Sequence, residues 1–179
     1  FKLKYDNIEN YLKSYGRYIV RQARKILQQR GKNTTGKLSK SLKYKIVESK
    51  EGYDIQFLAS KYATFVNKGV SGTQGRRTYI DINGKRRVSP FKFKKQPPSN
   101  VIEGWIKNRG IQGRDKKGRF ITRKSLAFLI GRSIKLKGIK STSFFQRPME
   151  LAMKRFGKDI LIALKEDIMG EFKASIEKK

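Results

Sequence analysis

An apolar stripe at the start of the chain limits the possible folds more than any other feature. Tyr5, Ile8, Leu12, Tyr15, Ile19, Ala23 and Ile26 recur at steps of three and four residues, which places them along one side of an α-helix. Asp6 and Glu9 suit a capped first turn, and Gly31 suits the position after the last one. The spacing therefore predicts a helix over about residues 7–29. A helix of that length with one apolar face must bury it, so another part of the chain has to supply the matching surface.

The end of the chain offers that surface. Leu151, Ala152, Phe156, Ile160, Ala163, Leu164, Ile168 and Phe172 follow a helical period from near Arg147-Pro148, with the proline tolerated in the first turn. Gly157 and Gly170 weaken this helix locally. Between the two helices the period changes to two. Leu42, Tyr44 and Ile46 alternate with lysines, then Tyr53, Ile55 and Phe57 alternate with polar residues. The turn-forming run Glu48-Ser49-Lys50-Glu51-Gly52 separates them, and together they predict an antiparallel hairpin with one wet face. Lys32 to Gly36 reads as a loop.

Further along, Tyr62, Ala63, Phe65 and Val66 form a short apolar patch closed by Gly69. Glycine-rich loops follow at Gly69–Gly75 and Gly110–Gly118. Neither has the GxxxxGK[ST] spacing of a phosphate-cradling loop, and both read as flexible connections. Tyr79, Ile80 and Ile82 run into Asn83-Gly84, the pair favoured in a type I′ turn, and Lys85-Arg86-Arg87-Val88 returns. Because that return strand is mostly cationic, a protruding hairpin is expected. Ser99 is a natural N-cap for a helix carrying Val101, Ile102, Trp105 and Ile106 up to Gly110. A second short helix turns Leu126, Leu129, Ile130, Ser133 and Ile134 inward and stops at Gly138. No internal repeat stands out. The expected architecture is a single α+β domain, with long N- and C-terminal helices packed on a small antiparallel sheet. Its core is expected at about 1–70 and 139–179, a basic arm at about 71–98 and a helical insertion at about 99–138.

Charge sets the second constraint. Lys and Arg total 44 against 14 acids, a formal +30, and the chain has neither Cys nor His. Imidazole bases, thiolate nucleophiles, Cys/His zinc sites and disulfides are thereby excluded. Aromatic residues at 11% argue against disorder, and no apolar run approaches the roughly 20 residues of a bilayer-spanning helix. The opening residues lack the basic-then-apolar order of a secretory signal. Between Ala59 and Arg147 there are 23 Lys and Arg but only three acids, Asp81, Glu103 and Asp115. The last 30 residues, in contrast, are close to neutral.

A metal-dependent nuclease would suit the charge, but it needs several acids in one site. The acids near the strands, Glu48, Glu51, Asp54 and Asp81, include two in a turn, so a solvated hairpin tip explains them better. The basic clusters are Arg76-Arg77, Lys85-Arg86-Arg87, Lys92 with Lys94-Lys95, and Arg114, Lys116, Lys117 and Arg119. Phe91, Phe93 and Phe120 are interleaved with them. Such cations suit contact with a polyanion or an acidic partner, and the aromatics either stack on bases or anchor the loops. Charge of this kind supports contact without sequence reading. Tyr62, Phe65 and Val66, with Phe144, Phe145 and Pro148, are the candidates for packing or for an oligomer or partner interface. No catalytic, cofactor-binding or metal-binding residues are expected.

Three segments together resemble a known family. Thr35-Gly36-Lys37-Leu38-Ser39-Lys40-Ser41-Leu42 resembles the "TGxLxxS" run leading to the first strand in tailed-bacteriophage neck and tail-completion proteins. Tyr62-Ala63-Thr64-Phe65-Val66-Asn67-Lys68-Gly69 resembles that family's "YAxxVExG" segment, with Asn67 in place of the acid. Ser143-Phe144-Phe145-Gln146-Arg147-Pro148-Met149-Glu150-Leu151-Ala152 resembles its closing "pFhrPAhe" motif, with Met149 in place of an alanine. The three occur in the family's order and span most of the chain. Residues 99–138 resemble the helical insertion of larger members.

The resemblance implies a structural virion protein rather than an enzyme: a ring in the head–tail connector, at the virion's head–tail junction after assembly in the host cytoplasm. Its implied partners are copies of itself, neighbouring portal or adaptor and tail proteins, and packaged DNA through nonspecific phosphate contacts, with no membrane and no cofactor. The alternative of another class is a nonsequence-specific nucleic-acid-binding protein of ribosomal or nucleoid type. That alternative explains the charge but leaves the three ordered segments unexplained.

Overall fold

The computed structural model describes residues 6–49 and 52–176, the side chains of 171–176 excepted. Tyr5, Lys50 and Glu51, and the side chain of Phe172, therefore lie outside the described residues. The chain forms α1 (Asp6–Gln29), α2 (Lys37–Ser41), β1 (Lys43–Ser49), β2 (Gly52–Leu58) and α3 (Ala63–Lys68). It continues with β3 (Val70–Ser71), β4 (Thr78–Ile80), β5 (Arg86–Val88), α4 (Ser99–Arg109), α5 (Arg123–Lys137), β6 (Gly138–Ile139) and α6 (Gln146–Ile176). The class is α+β with long helices at both ends. The strands form three separate antiparallel pairs, β1–β2, β3–β6 and β4–β5, where one small sheet was expected.

Helices α1 and α6 run antiparallel. Tyr15 and Ile19 of α1 pack with Ala152, Met149 and Phe156 of α6, and Phe156 meets Tyr18 edge-on at 5.3 Å between ring centroids. The Tyr11 hydroxyl donates to the Phe156 carbonyl. Burial, with the nearby Asp159 charge adding to it, pushes the Tyr11 phenol up to about 12. At the other end of the pair, the buried Asp167 carboxylate accepts from the backbone N–H groups of Asn7 (3.0 Å) and Ile8 (3.0 Å) and from Asn7 Nδ2 (2.8 Å). Those amides belong to the first turn of α1, whose donors have no partner inside the helix. A carboxylate far away in sequence thus caps α1, and its negative charge faces the positive end of the helix dipole. Local capping by Asp6 and Glu9 was the expectation from spacing alone.

The hairpin β1–β2 covers one side of α1. Tyr44 pairs with Phe57 and Ile46 with Ile55, so the apolar residues share the inner face and the lysines face outward. Gly16 makes room for the Tyr44 ring: a Cβ there would lie 2.5 Å from Tyr44 Cδ2. The main core gathers Val20, Ala23 and Leu27 of α1, Leu38 of α2, Leu42, Ala63 of α3 and Phe144. Phe57 and Phe145 add an edge-to-face pair at 5.0 Å. The expected loop at 32–36 is present, and two short helices, α2 and α3, occur after it and at the apolar patch, where no element was assigned. α2 places Leu38 into this core, and α3 places Ala63 there with Val66 packed against it.

Residues 72–137 leave and re-enter the fold through β3–β6. There the chain crosses itself so closely that a Cβ at Gly72 would strike the Leu136 carbonyl, and one at Gly138 (φ +74°) the Val70 carbonyl. A Cβ at Gly69 (φ +72°) would come within 2.7 Å of the Ile139 carbonyl oxygen. Thr73 N–H donates to the Lys135 carbonyl (2.8 Å), and the N–H groups of Gln74 and Gly75 donate to that of Leu136 (3.0 and 3.1 Å). The 69–75 segment is therefore a fixed cap for the C-terminal carbonyls of α5, not the flexible loop its glycines suggested. Helices α4 and α5 form their own cluster around Ile102, Ile106 and Ala127.

Several inward assignments change. Leu129 of α5 is exposed while Ala127 and Gly131 are buried, because the small residues let α5 approach α4 and Gln96 closely. Trp105 and Val101 of α4 are exposed as well. Ser99 opens α4 as its first helical residue, with Pro98 at the cap position and no side-chain cap bond. On α6, Leu151, Ile160 and Ile168 face solvent, and Ala152, Ala163 and Asp167 face α1. Small residues again sit at the helix–helix contact.

Two substitutions test this framework. Asp167→Ala leaves the first-turn amides of α1 without their acceptor and should cost about 1–2 kcal/mol in urea unfolding, with Asp167→Asn losing less. Gly72→Ala forces backbone apart at the crossing and should cost about 1–3 kcal/mol, although alanine replaces glycine.

Candidate polyanion interface

The basic clusters sit on two loops of the same construction. In the first, Gly84 N–H donates to the Asp81 carbonyl (3.1 Å) and Asp81 N–H to the Lys85 carbonyl (2.9 Å), with Gly84 at φ +75°. In the second, Gly118 N–H donates to the Asp115 carbonyl (3.0 Å) and Asp115 N–H to the Arg119 carbonyl (2.8 Å), with Gly118 at φ +82°. Each is a three-residue hairpin loop with a turn closed by a left-handed glycine. Asn83 does not have positive φ, so the first loop is not the type I′ turn that Asn83-Gly84 suggested.

The two aspartates do the same work. Asp81 Oδ1 accepts from Asn83 N–H (3.0 Å) and Lys85 N–H (2.8 Å), while Oδ2 accepts from Arg87 Nε (3.0 Å). Asp115 Oδ1 accepts from Lys117 N–H and Arg119 N–H (both 2.9 Å), while Oδ2 accepts from Arg119 Nε (2.9 Å). The Arg87 hydrogen bond, with the backbone donors, holds the Asp81 carboxyl below the usual carboxylate range. For Asp115 the backbone donor of Arg119 leads, followed by its guanidinium. A short sequence pattern, Asp-x-x-Gly-Lys/Arg, marks both loops at 81–85 and 115–119. That pattern is the repeat that period-based reading missed.

Each aspartate is engaged by its own loop, and so is Arg114, which donates to the Gly118 carbonyl (2.8 Å); the remaining cations are exposed. Lys85, Arg86, Arg114, Lys116 and Lys117 are exposed, and so are Arg87 and Arg119 beyond their Nε bonds. Arg114 lies over the Phe120 ring at 3.9 Å, and Phe120 itself is 62% exposed. Arg76 is exposed, but Arg77 is half-buried at the hairpin root, where its N–H binds Ser71 Oγ (3.0 Å). Phe91 and Phe93 are half-buried, and Phe91 packs on Phe65 with ring centroids 4.5 Å apart, so they anchor rather than protrude.

The β4–β5 hairpin is not a free arm. Ser141 Oγ donates to the Thr78 carbonyl (2.7 Å), Lys68 Nζ lies 5.4 Å above the Tyr79 ring, and Gly84 approaches the Glu150 carboxylate at the start of α6. Its docked strand is β4; all three residues of its return strand β5 are exposed.

The apolar interface candidates separate into two groups. Tyr62 (43%) and Phe65 (46%) are exposed, Val66 and Phe145 half-buried. Phe144 (1%) and Pro148 are fully buried inside the chain, so they pack its core and offer nothing to a partner. Sequence pattern could not separate a packed apolar knot from a surface one. Surface apolar residues that it did not single out include Leu161, Ile162 and Met169 on α6.

Among the described residues no three His, Cys, Asp or Glu side chains converge to hold a metal, and no described helix is long and apolar enough to cross a membrane. Glu48 and Asp54 are both exposed but lie on opposite faces of the hairpin, Glu48 beyond Ile46 on one and Asp54 on the other. Comparison of the chain with protein-family models, with curated proteins and with solved structures returned no match.

Acid should loosen both loops. The folded carboxyl values lie below those of the unfolded chain, so the stabilisation is complete above about pH 4 and is lost as pH falls through the depressed folded values. The amide resonances of Lys85 and Arg119 should therefore titrate with midpoints below about 3.9. A midpoint at or above the ordinary aspartate value would contradict the clamp.

Proposed function

We propose that this chain is a structural component of a tailed-phage head–tail connector, a ring that joins portal-side proteins to the tail with DNA running through it. One observation carries the reading: the three segments that resemble the neck and tail-completion family meet in one place. Leu38 and Leu42 from the first, Ala63 and Val66 from the second, and Phe144 and Phe145 from the third share the main core. The second and third are also joined along their backbones. Thr142 N–H donates to the Val66 carbonyl (3.1 Å) and Ser143 N–H to that of Asn67 (3.0 Å). Phe145 N–H donates to Asn67 Oδ1 (3.1 Å). Asn67 stands where the family motif has an acid, and its side-chain oxygen supplies the acceptor that a carboxylate would supply at the start of α6.

The connector reading is one of assembly, not turnover. Rings require a head-to-tail contact between two different patches of one chain. Tyr62 and Phe65 on one side and the outer apolar residues of α6 on another are suitable patches. The nearly neutral C-terminal region favours contact there, since a chain of +30 otherwise repels its own copies. A second reading, a nonsequence-specific nucleic-acid-binding protein, is favoured by the paired basic loops alone.

Native mass measurement separates the two. The connector reading expects a closed ring of many copies, formed by the chain itself or alongside neighbouring neck proteins, and lost on Leu161→Asp or Phe65→Asp. A species that stays monomeric or dimeric at high concentration, and in the presence of those neighbours, overturns it.

A further inference from the structure

We propose that the two aspartate-clamped loops and the outer face of α5 between them form one continuous track for the phosphate backbone of duplex nucleic acid. This deepens the reading of a ring around DNA by naming the surface involved, and its test is read on the chain whatever its oligomeric state.

The two loops are attached to opposite ends of α5. The 114–120 loop runs directly into it: Ile121 N–H binds the Gly113 carbonyl (3.0 Å), and Thr122 caps the helix by accepting from Ser125 N–H (3.2 Å). The β4–β5 hairpin is rooted at the other end, where Gln74 and Gly75 bind the Leu136 carbonyl and Arg77 N–H binds Ser71 Oγ. At 1.5 Å per residue, α5 separates the two roots by about 22 Å, roughly six phosphate steps along one strand. Lys124, Phe128 and Arg132 recur every four residues on the exposed side of the helix, and all three are exposed. From Lys116 to Met149 the chain contains no acid. Asp81 and Asp115, the two acids on the loops themselves, are turned into their loops by backbone and guanidinium donors, and Glu150 beside Gly84 is paired with Lys154. None of the three presents a free carboxylate to a phosphate, although each still subtracts one charge.

The chemistry favours duplex backbone over the other polyanions. Protein–protein interface cores are depleted in charge, whereas this track is almost wholly cationic. Single-strand binding stacks successive bases on a series of aromatic faces, whereas this track exposes only Phe128 and the face of Phe120 that Arg114 leaves open, far fewer than its cations. Two-stranded ribbons of fixed shape suit a groove and its flanking phosphates. The clamps matter because a preformed loop loses less freedom when it binds.

Fluorescence anisotropy with a mixed-sequence 20-base-pair DNA duplex, titrated over a range of salt, tests the proposal on the full chain. Lys116→Gln with Lys117→Gln, and Lys85→Gln with Arg86→Gln, should each weaken binding and lower the log–log salt slope by about 0.9 for every phosphate no longer neutralised. Lys158→Gln with Lys165→Gln on α6 removes the same charge elsewhere and should change the slope little. Equal losses in all three pairs would mean diffuse charge and overturn the track. Asp115→Asn adds one unit of positive charge, so simple charge summation predicts tighter binding, and loss of the clamp predicts weaker binding. Tighter binding would overturn the role given to the clamp. Poly-L-glutamate of matched charge is the last arm; equal affinity with the same dependence on the loops would assign the surface to acidic protein instead. Thermal melts of each variant confirm that the exposed substitutions leave the fold intact.

Discussion

Everything beyond the helical core depends on one close backbone crossing. At Gly69, Gly72 and Gly138 the chain passes another strand of itself with no room for a side chain. That closeness lets two residues of β3 pair with two of β6, and it brings three consecutive amides to the open carbonyls of α5. Without it α5 would end in unsatisfied carbonyls and β4 would lose its position beside Ser141. The glycines here are structural in a strict sense: they allow hydrogen bonds that a Cβ would prevent.

The parts legible in the sequence were those governed by local periodicity. The α1 stripe, the β1–β2 hairpin and the ends of α4 at Gly110 and α5 at Gly138 all follow from spacing and turn residues. Asp167 over the first turn of α1 was not legible, because nothing local links it to Asn7. The inward faces of α5 and α6 were misjudged for a related reason. Close helix pairing buries Ala127 and Gly131, which the pattern passed over. On α6 it keeps Ala152 and Ala163 of the expected stripe inside but leaves Leu151, Ile160 and Ile168 outside, because a hydrophobicity pattern does not favour small residues at a contact. The cations of the candidate site were visible as clusters. Their shared clamp was not, because it rests on hydrogen bonds to single aspartates that composition counts only as lost positive charge.

That difference changes how the net charge should be understood. A formal +30 describes the whole chain, yet the distribution is shaped residue by residue. Glu150 is matched by Lys154 (2.9 Å) and Glu9 by Lys13 (2.7 Å), both four residues apart on their helices and both with the lysine exposed. Such pairs contribute little stability. Asp81 and Asp115 act differently, since their backbone bonds fix loop shape as well as balance charge. In the basic middle of the protein, Asp81 and Asp115 serve geometry.

The antiparallel pairing of α1 with α6 also has a consequence in time. Synthesis delivers the first turn of α1 160 residues ahead of the capping Asp167, with α2 to α5 and all the strands between them. At roughly 5–20 residues per second the ribosome takes on the order of ten seconds to span that interval. Throughout it the first turn of α1 lacks its distant acceptor, and Tyr15 and Ile19 lack Ala152 and Phe156. The β1–β2 hairpin emerges in time to shield part of that face. The remainder stays open on the nascent chain until the last helix arrives, and that is when such a chain is most exposed to chaperones and to premature association with its own kind.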